Sequence, residues 1–507
     1  MNDSFTINKR FTVSLISNLI KSAVSFTTGI LLARWLGPDD YGRMAFLIAS
    51  FLAFKQLFDM ATSSAFFTFL SQRSRSKQFI RYFWYWVGAQ FTVSILFVAL
   101  ILPEDILQKV WVGEQKTLII LALIATFMQH HVWSIASQMA EASRQTIWVQ
   151  KLNVLVVLLH LCVVVSLWLI GELILPLIFV ALIVEWSIAG WIASRMYQKE
   201  SVLGSDSIVD TPKSVFKEFW RYCMPFVPYS LLSFMHIFAD RWMLQHWGGA
   251  NEQAYYAVAQ QFSAVALLAT SSILRIFWKE VAEAQHQKDT AKVERLYFKV
   301  SRILFFIGTI IAAGLIPWSK EIVTVLLGDA YLAGVVTLMI MFLYPIHQSL
   351  GQIGNSLLYA TERVKIQVVM GLIFLSSKMI VSYFMLAPKD MFIPGLGLAS
   401  EGLAIKMVVS QWIIVNIQAY VIARVFGWKY DWLYQLVGLL IVIIMAYAAQ
   451  MVGFYIFEDF IIMQFIISGL IYLLMIISVL YYFPWLAGLK RKEVTKYVEK
   501  IRRKYYG

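Results

Sequence analysis

The residues most able to do chemistry in this chain are ionisable side chains that interrupt long apolar stretches. Six lie deep within such stretches: Lys21, Lys55, Asp59, Glu185, Lys378 and Lys406. Six more lie nearer the ends of the stretches: Arg34, Arg43, Asp240, Arg241, Arg275 and Glu401. In a membrane, a charge at mid-depth costs roughly 2.5 to 3.5 kcal/mol and usually faces a bundle interior or a watery cavity. The deep residues, four of them lysines, are therefore candidate sites.

The spacing of the histidines and cysteines does not indicate a metal site or a disulfide framework. Five histidines fall in or beside apolar stretches without HExxH or paired-cysteine spacing: His130, His131, His160, His236 and His347. Cys162 and Cys223 do not indicate a disulfide framework. We expect no metal site, no catalytic residue and no bound cofactor; coupling to a proton or sodium gradient stays open, because the sequence does not identify the energy source.

The elements that position these residues are membrane helices. The chain has 507 residues, of which 60% are hydrophobic and 14% charged, and a mean hydropathy of +0.68. About 20 apolar residues span a bilayer. The predicted spans are 11–35, 43–70, 82–102, 117–140, 152–171, 173–194, 219–247, 252–278, 303–317, 332–360, 366–387, 398–423, 433–455 and 462–486. They predict an all-α polytopic membrane protein with about fourteen transmembrane helices.

The distribution of positive charge predicts the orientation. With the N-terminus inside, the inner segments carry thirty lysines and arginines, and the outer segments carry four: Lys109, Lys116, Lys320 and Lys389. This bias places both termini in the cytoplasm. Two interpretations stay open for the inner connection that starts at Lys279: an amphipathic helix on the inner leaflet, or a solvated positive flank that only sets the topology.

A weak internal repeat divides the chain. Shifting the sequence by 212 residues places RWLGPDDYGRMA (34–45) over HWGGANEQAYYA (246–257), so that Gly37 falls on Gly249. Both copies follow the first helix of a six-helix set, which predicts two lobes in parallel orientation. The predicted domains are a lobe at 1–200, a second lobe at 201–425, two additional helices at 426–486 and a basic cytoplasmic tail at 487–507.

Two stretches resemble a known family. LLARWLGPDDYGRMAFLIAS (31–50) followed by KQLFDMA (55–61), and YCMPFVPYSLLSFMHIFADRWML (222–244), resemble the Wzx-type flippases among the polysaccharide transporters of the multidrug/oligosaccharidyl-lipid/polysaccharide (MOP) exporter superfamily. The resemblance implies two six-helix lobes, a central cavity and alternating access. It also implies movement of undecaprenyl-pyrophosphate-linked oligosaccharide across the bacterial inner membrane, from cytoplasmic to periplasmic leaflet, for O-antigen lipopolysaccharide, capsule or exopolysaccharide.

The implied partners are the lipid-linked oligosaccharide, membrane lipids and other polysaccharide assembly proteins, with no nucleic acid. For such a substrate, mid-depth cations could replace part of the water around the pyrophosphate. The predicted substrate-binding residues are Lys21, Lys55, Arg275, Lys378 and Lys406. Three alternatives stay open: Lys55 can neutralise Asp59 at i, i+4, Lys406 can pair with Glu401, and Arg275 can extend to the interface.

Other residues are predicted to govern the conformational cycle. Asp240, Arg241 and Arg34 lie toward the outer ends of their helices, where ion pairs could close the outer gate, and Asp59 is a further ion-pair candidate. Gly37 and Pro38 end the first span, and Asp39 and Asp40 are placed to begin the second. Pro225 and Pro228 remove two hydrogen bonds inside one span and predict a kink that could act as a hinge.

Three rival functions fit parts of the pattern. A drug or cation antiporter of the MATE type would use buried carboxylates, for which Asp59 and Glu185 are available, although the deep lysines outnumber them. A flippase for lipid II or a teichoic-type precursor would differ in the headgroup alone. A membrane-embedded glycan polymerase or acyltransferase would want a catalytic cluster on an outer loop. The longest outer loops, 103–116 and 388–397, contain no histidine, so we expect a transporter and not an enzyme.

Overall fold

A computed structural model describes residues 2–72, 75–200, 210–457, 460–489 and 491. Every regular element in these ranges is a helix. The first half contains α1 (Asn2–Asp59), α2 (Thr62–Gln72), α3 (Lys77–Leu96), α4 (Glu104–Val110), α5 (Lys116–Thr126), α6 (Trp133–Ala142), α7 (Thr146–Leu169), α8 (Leu175–Glu200), α9 (Pro212–Cys223) and α10 (Val227–Met243). The second half contains α11 (Ala250–His286), α12 (Thr290–Leu315), α13 (Ser319–Leu326), α14 (Val335–Phe342), α15 (Tyr344–Ala360), α16 (Val364–Leu386), α17 (Ala399–Phe426), α18 (Leu433–Ile456) and α19 (Ile461–Tyr482).

Twelve helical stretches within the described ranges are long and apolar enough to cross a membrane. One of them, Thr12–Asp59, is 48 residues long and carries two predicted spans on either side of Gly37. Helix α11 is a further 37-residue helix at the position of the predicted eighth span. The prediction of an all-α polytopic membrane protein with about fourteen spans is confirmed.

The break inside α1 shows why the outer turn contains glycine. Gly37 has φ 74° and ψ 171°, and Gly249, its partner in the predicted repeat, has φ 85° and ψ −179°. A residue with a Cβ rarely adopts this backbone conformation. A Cβ on Gly42 would overlap the carbonyl oxygen of Ala250, so the two turns pack directly against each other. Pro38 follows Gly37 in the first helical turn, which places Asp39 and Asp40 in that turn and not at the cap itself.

Several spans depart from α-helical geometry at defined points. A π-helical turn at Phe127–Val132 joins α5 to α6, and another at Leu244–Gly248 follows α10. A 3-10 turn at Met224–Phe226 separates α9 from α10. Pro225 lies in that turn and Pro228 in the first turn of α10, because neither residue can donate a backbone hydrogen bond.

The inner connection after Lys279 differs from the surface-helix interpretation. Helix α11 continues to His286 and α12 begins at Thr290, with the Asp289 carboxylate accepting a 2.9 Å hydrogen bond from the Lys292 backbone. Val281 and Val293 are buried in a core that also includes residues of α15 and α17. The surface-helix interpretation is therefore wrong: the apolar residues of this connection belong to the inner ends of two long helices.

The described residues form two compact units. The first contains the chain up to Ala257 together with Leu386–Ala399, and its core includes Phe66, Phe79, Phe83, Ile135 and Met139. The second contains Val258–Met385 and the described residues from Ser400 onward, and α18 and α19 pack there against α12. The four domain boundaries from the sequence stay a prediction, and most of the predicted tail, 490 and 492–507, lies outside the described residues.

Candidate functional site

The first unit brings together the two deep lysines of α1. Lys21 lies sixteen residues before Gly37 and Lys55 eighteen residues after it, distances of about 24 and 27 Å along the two arms. Both lysines are close enough to His130 for their charges to act on its ring. Both side chains are partly buried. His130 is therefore a common neighbour of the two lysine charges.

A histidine pair completes this cationic region. His130 and His131 lie in the π-helical turn between α5 and α6, a geometry that proteins often keep at functional sites. The Nε2 atom of His131 is 3.1 Å from Oε1 of Gln90, and Gln90 Nε2 donates a 2.7 Å hydrogen bond to the Phe58 carbonyl. Sequence reasoning assigned these histidines no role, although a His-His pair inside an apolar span was the available signal.

The Asp59 carboxylate is hydrogen-bonded to the start of α2 and forms no ion pair with Lys55. Its Oδ1 atom accepts hydrogen bonds from the Ser63 amide at 2.9 Å, the Ser63 hydroxyl at 2.5 Å and the Thr62 hydroxyl at 3.1 Å. Met60 and Ala61 separate α1 from α2 with positive φ angles of 39° and 68°. Lys55 and Asp59, both described, form no ion pair within 4.0 Å. The carboxylate therefore caps α2, and its charge reaches Lys55 without direct ion-pair contact.

Aromatic rings surround Lys55. A small cavity beside it is lined by Phe51, Phe54, Lys55, Phe58, Leu123, Thr126, Phe127 and His131. The ring of Phe54 lies 5.1 Å from Phe234 and 5.7 Å from Phe238, both on α10. These contacts join the second arm of α1 to α10 at the depth of the lysine. An anion that reaches Lys55 would therefore meet an apolar, water-poor wall.

At the outer turn, Arg43 is held by a residue that sequence reasoning missed. Its guanidinium bonds Glu114 through Nε at 2.8 Å and Nη2 at 2.9 Å, and Asp40 through Nη1 at 3.0 Å. Glu114 precedes α5, and its side chain is 4% exposed. Asp40 is one of the two aspartates that follow Pro38 in the same turn. The stronger, bidentate partner lies 71 residues away.

The other predicted gate residues form separate contacts. The Arg241 guanidinium lies over the Tyr256 ring at 4.6 Å, and Tyr41 is near enough to interact with its charge. Asp240 Oδ2 is 3.9 Å from His236 Nε2 on the same helix. Arg34 is exposed on the first arm of α1. The gating role of Asp240, Arg241 and Arg34 stays a prediction.

At the inner end of the first unit, Arg75 links the connection between α2 and α3 to helix α9. Its Nη2 and Nη1 atoms bond the two carboxylate oxygens of Glu218 at 2.6 and 2.9 Å. The guanidinium lies 4.5 Å from the centre of the Phe79 ring, and its side chain is 3% exposed. Ser76 donates a 2.6 Å hydrogen bond to Asp210 beside it. The connection between α2 and α3 is thereby fixed to the start of α9.

The remaining predicted lysines belong to the second unit. Lys378 on α16 donates a 3.2 Å hydrogen bond to Gln411 Oε1 on α17. Lys406, also on α17, is fully buried. The Arg275 side chain lies outside the described residues. Lys378 and Lys406 thus belong to one helix pair, and their part in substrate binding stays a prediction.

Within the described ranges, no group of three histidine, cysteine or carboxylate residues could hold a metal ion. The cationic region of the first unit places Lys21, Lys55, His130 and His131 beside aromatic rings. Such a region can attract and partly desolvate an anion.

Comparisons with known proteins identify a sequence family and similar folds. A model of the family described as "Polysaccharide biosynthesis protein" matches residues 7–277, more than half of the chain. A search of curated proteins found no match. The structure of lipid II flippase MurJ in an inward closed conformation matches with a TM-score of 0.69 at 16% identity, covering 93% of this chain and 99% of that chain.

Two further structures show the same fold at a greater distance. An outward-facing multidrug resistance MATE family transporter of the MOP superfamily matches with a TM-score of 0.55 at 12% identity, covering 83% of this chain and 96% of its own. A MOP superfamily transporter from Pyrococcus furiosus matches with a TM-score of 0.52 at 11% identity, covering 83% of this chain and 95% of its own. These likenesses establish the fold that positions Lys21 and Lys55.

Proposed function

The chain belongs to the polysaccharide biosynthesis protein family, and from this premise we propose that it flips undecaprenyl-pyrophosphate-linked oligosaccharide repeat units across a bacterial inner membrane. The direction is from the cytoplasmic to the periplasmic leaflet by alternating access. The product would serve O-antigen, capsule or exopolysaccharide synthesis, together with other polysaccharide assembly proteins.

One observation carries the proposal: the charges of Lys21 and Lys55 both act on His130, and the Asp59 carboxylate is hydrogen-bonded at the start of α2, with no ion pair to Lys55. A partly buried cation within a membrane span is costly unless an anionic ligand binds it. An isoprenoid pyrophosphate carries two or more negative charges and must leave water to cross. Lysine is a mobile point charge, so it can bind a phosphate without the fixed bidentate geometry of arginine.

The same observation favours a lipid-linked anion over a drug or metal cation. An antiporter of the MATE type would need carboxylates that face the cavity, and Asp59 directs its oxygen to Ser63 and Thr62. The lipid II flippase MurJ also has the higher TM-score, 0.69 against 0.55 for the MATE transporter. A lipid II-type headgroup is therefore the nearest alternative substrate.

The test uses purified full-length protein in vesicles that contain undecaprenyl-pyrophosphate-linked glycan. Flipping is followed by access of the glycan to an enzyme outside the vesicle. We expect Lys21→Gln and Lys55→Gln each to lower the flipping rate by at least about tenfold, since each removes a charge contact worth about 1.5 to 3 kcal/mol. Lys109→Gln, which alters an exposed lysine of α4, is the matched control and should flip as the wild type does.

Two results would count against the proposal. Normal flipping by both deep-lysine variants would remove the cationic site, and export of a cationic dye by wild-type protein that flips no lipid-linked glycan would favour the antiporter. The sugar itself is best identified by expressing the chain in strains that each lack one defined glycan flippase.

A further inference from the structure

A second pair of ionisable residues lies inside the first unit, apart from the lysine region. His160 on α7 and Glu185 on α8 form an ion pair, with His160 Nδ1 2.9 Å from Glu185 Oε2. Glu185 is the central residue of the membrane-spanning stretch Leu175–Arg195, about 15 Å from either end. At that depth a carboxylate is rare, and such a residue usually has a function.

Both side chains face the interior of the bundle. Glu185 lies on the buried face of α8 with Leu182, Trp186 and Ala189, and its side chain is 5% exposed. His160 follows the buried residues Asn153, Val156 and Val157 along α7 and retains 14% exposure. The imidazole is therefore the more accessible of the two groups. Its Nε2 atom is the ring nitrogen that Glu185 does not engage.

The carboxylate is incompletely satisfied. Glu185 Oε1 is buried and has no hydrogen-bond partner in the described part of the chain. Charged and histidine residues with described side chains on the helices packed against α7 and α8 form no ion pair with His160 or Glu185: Lys21, Arg34, Asp39, Asp40, Arg43, Lys55, Asp59, Lys116, His130, His131 and Glu141. The pair is thus an isolated two-residue system, and its charge depends on its own protons.

We propose that His160 and Glu185 form a proton-binding site whose loading and release couple a proton gradient to transport. With a proton on the Glu185 carboxyl group and a neutral imidazole, the pair is uncharged. Without that proton, a bare carboxylate stays at the membrane centre, which is the costly state. A proton that binds Nε2 allows the Nδ1 proton to move to the carboxylate, which leaves the ring neutral again.

The donor set favours a proton over a sodium ion. Hard cations take several oxygen ligands. This site offers only the Glu185 carboxylate, and its Oε2 atom is already within hydrogen-bond distance of His160 Nδ1. The coupling part of the inference rests on the proposed function. Proton binding by the pair does not depend on it, so the two parts can be tested separately.

The first measurement is infrared difference spectroscopy of the full-length protein in lipid nanodiscs between about pH 5 and about pH 9, a range that spans histidine titration. Wild-type protein should show a pH-dependent carboxyl C=O band that Glu185→Gln abolishes. Glu141→Gln removes another carboxyl group within a span, one bonded to Gln150, and should leave the band intact. His160→Gln should keep the band and shift its midpoint, because glutamine can bond Glu185 without titrating.

If the wild type shows no pH-dependent carboxyl band, or if every such band persists in Glu185→Gln, the proton site is overturned. Should that variant fail to fold, the midpoint in His160→Gln decides: a shift supports the pair, and an unchanged midpoint overturns it. In the vesicle assay, an acidic periplasmic side should accelerate wild-type flipping and leave His160→Gln unaffected. A wild-type flipping rate that does not change with the proton gradient would overturn coupling. If the wild type flips no lipid-linked glycan, the proposed function is refuted, and the infrared result still tests proton binding by the pair.

Discussion

The guanidinium of Arg43 and the carboxylate of Glu114 form two parallel hydrogen bonds, 2.8 Å from Nε to Oε1 and 2.9 Å from Nη2 to Oε2. The pair joins Arg43, six residues after the Gly37 break, to Glu114, two residues before α5. Its geometry is the fork that arginine forms with carboxylates. The outer turn is thereby fixed to a second outer connection by one specific interaction.

Removing the charge of Glu114 should lower stability measurably. Glu114 is buried and Arg43 is 32% exposed, so we expect Glu114→Gln to cost about 1 to 2 kcal/mol, below the value for a fully buried pair. A double-mutant cycle with Arg43→Gln, from unfolding free energies in detergent micelles, should yield a coupling of about 1 kcal/mol or more. Asp40→Asn, which alters the 45% exposed partner, should cost less than about 0.5 kcal/mol. Equal effects of the two carboxyl variants would contradict this ranking.

Alanine at either glycine of the repeated turn should destabilise the protein. Gly37 and Gly249 hold φ angles of 74° and 85° with ψ near 180°, a region that costs other residues about 1 to 3 kcal/mol. Gly37→Ala and Gly249→Ala should each lower the apparent melting temperature. Gly88→Ala is the control, because Gly88 lies inside helix α3, where an added Cβ would meet no atom within 4 Å, and alanine favours the helix. Unchanged melting in both turn variants would show that the turns relax freely.

Sequence sufficed for the spans because membrane insertion imposes a simple rule. Each span needs about 20 apolar residues, and the periodic apolar stretches follow this requirement directly. The rule fails at the inner connection from Lys279, where mixed charged and apolar residues suit either a surface helix or the ends of two long helices. Burial of Val281 and Val293 against α15 and α17 decides between them, and those partners are distant in sequence.

The sequence predicted the deep charged residues of the site but not the partners that hold its other side chains. Lys21 and Lys55 are conspicuous because an isolated charge in an apolar span is costly. Glu114 and Gln90 gave no such signal, since their importance comes from Arg43 and His131, residues 71 and 41 positions away. The i, i+4 spacing of Lys55 and Asp59 suggested a pair, yet the local turn at Met60 and Ala61 draws the carboxylate to Ser63. Local competition for hydrogen bonds is not visible in spacing alone.

Replacement of Arg75 should loosen the inner end of the first unit. Arg75→Ala removes a bidentate contact to Glu218 and a cation over Phe79, and we expect a loss of about 2 kcal/mol, discounted because Glu218 is 32% exposed. Arg75→Lys should recover part of this loss, since lysine keeps the charge and lacks the fork. Limited proteolysis of the connection to α9 and melting temperature give the measurement. Arg81→Ala, at an exposed position of α3, should change neither, and a comparable effect there would point to net charge as the cause.

The two prolines of the break between α9 and α10 offer the sharpest test of movement at that point. Pro225 lies in the 3-10 turn and Pro228 in the first turn of α10, where each removes a backbone donor without leaving an unmade interior hydrogen bond. The double change Pro225→Ala and Pro228→Ala would let one continuous helix form from α9 through α10. If the break bends during transport, this variant should stay folded, with an equal or higher melting temperature, and flip lipid-linked glycan at least about tenfold more slowly, a barrier increase of about 1.4 kcal/mol. Pro317→Ala alters a proline in the 3-10 turn Ile316–Trp318 and should flip normally. A double variant that flips at the wild-type rate would assign the break to packing alone, because a rigid helix would then serve the cycle equally well.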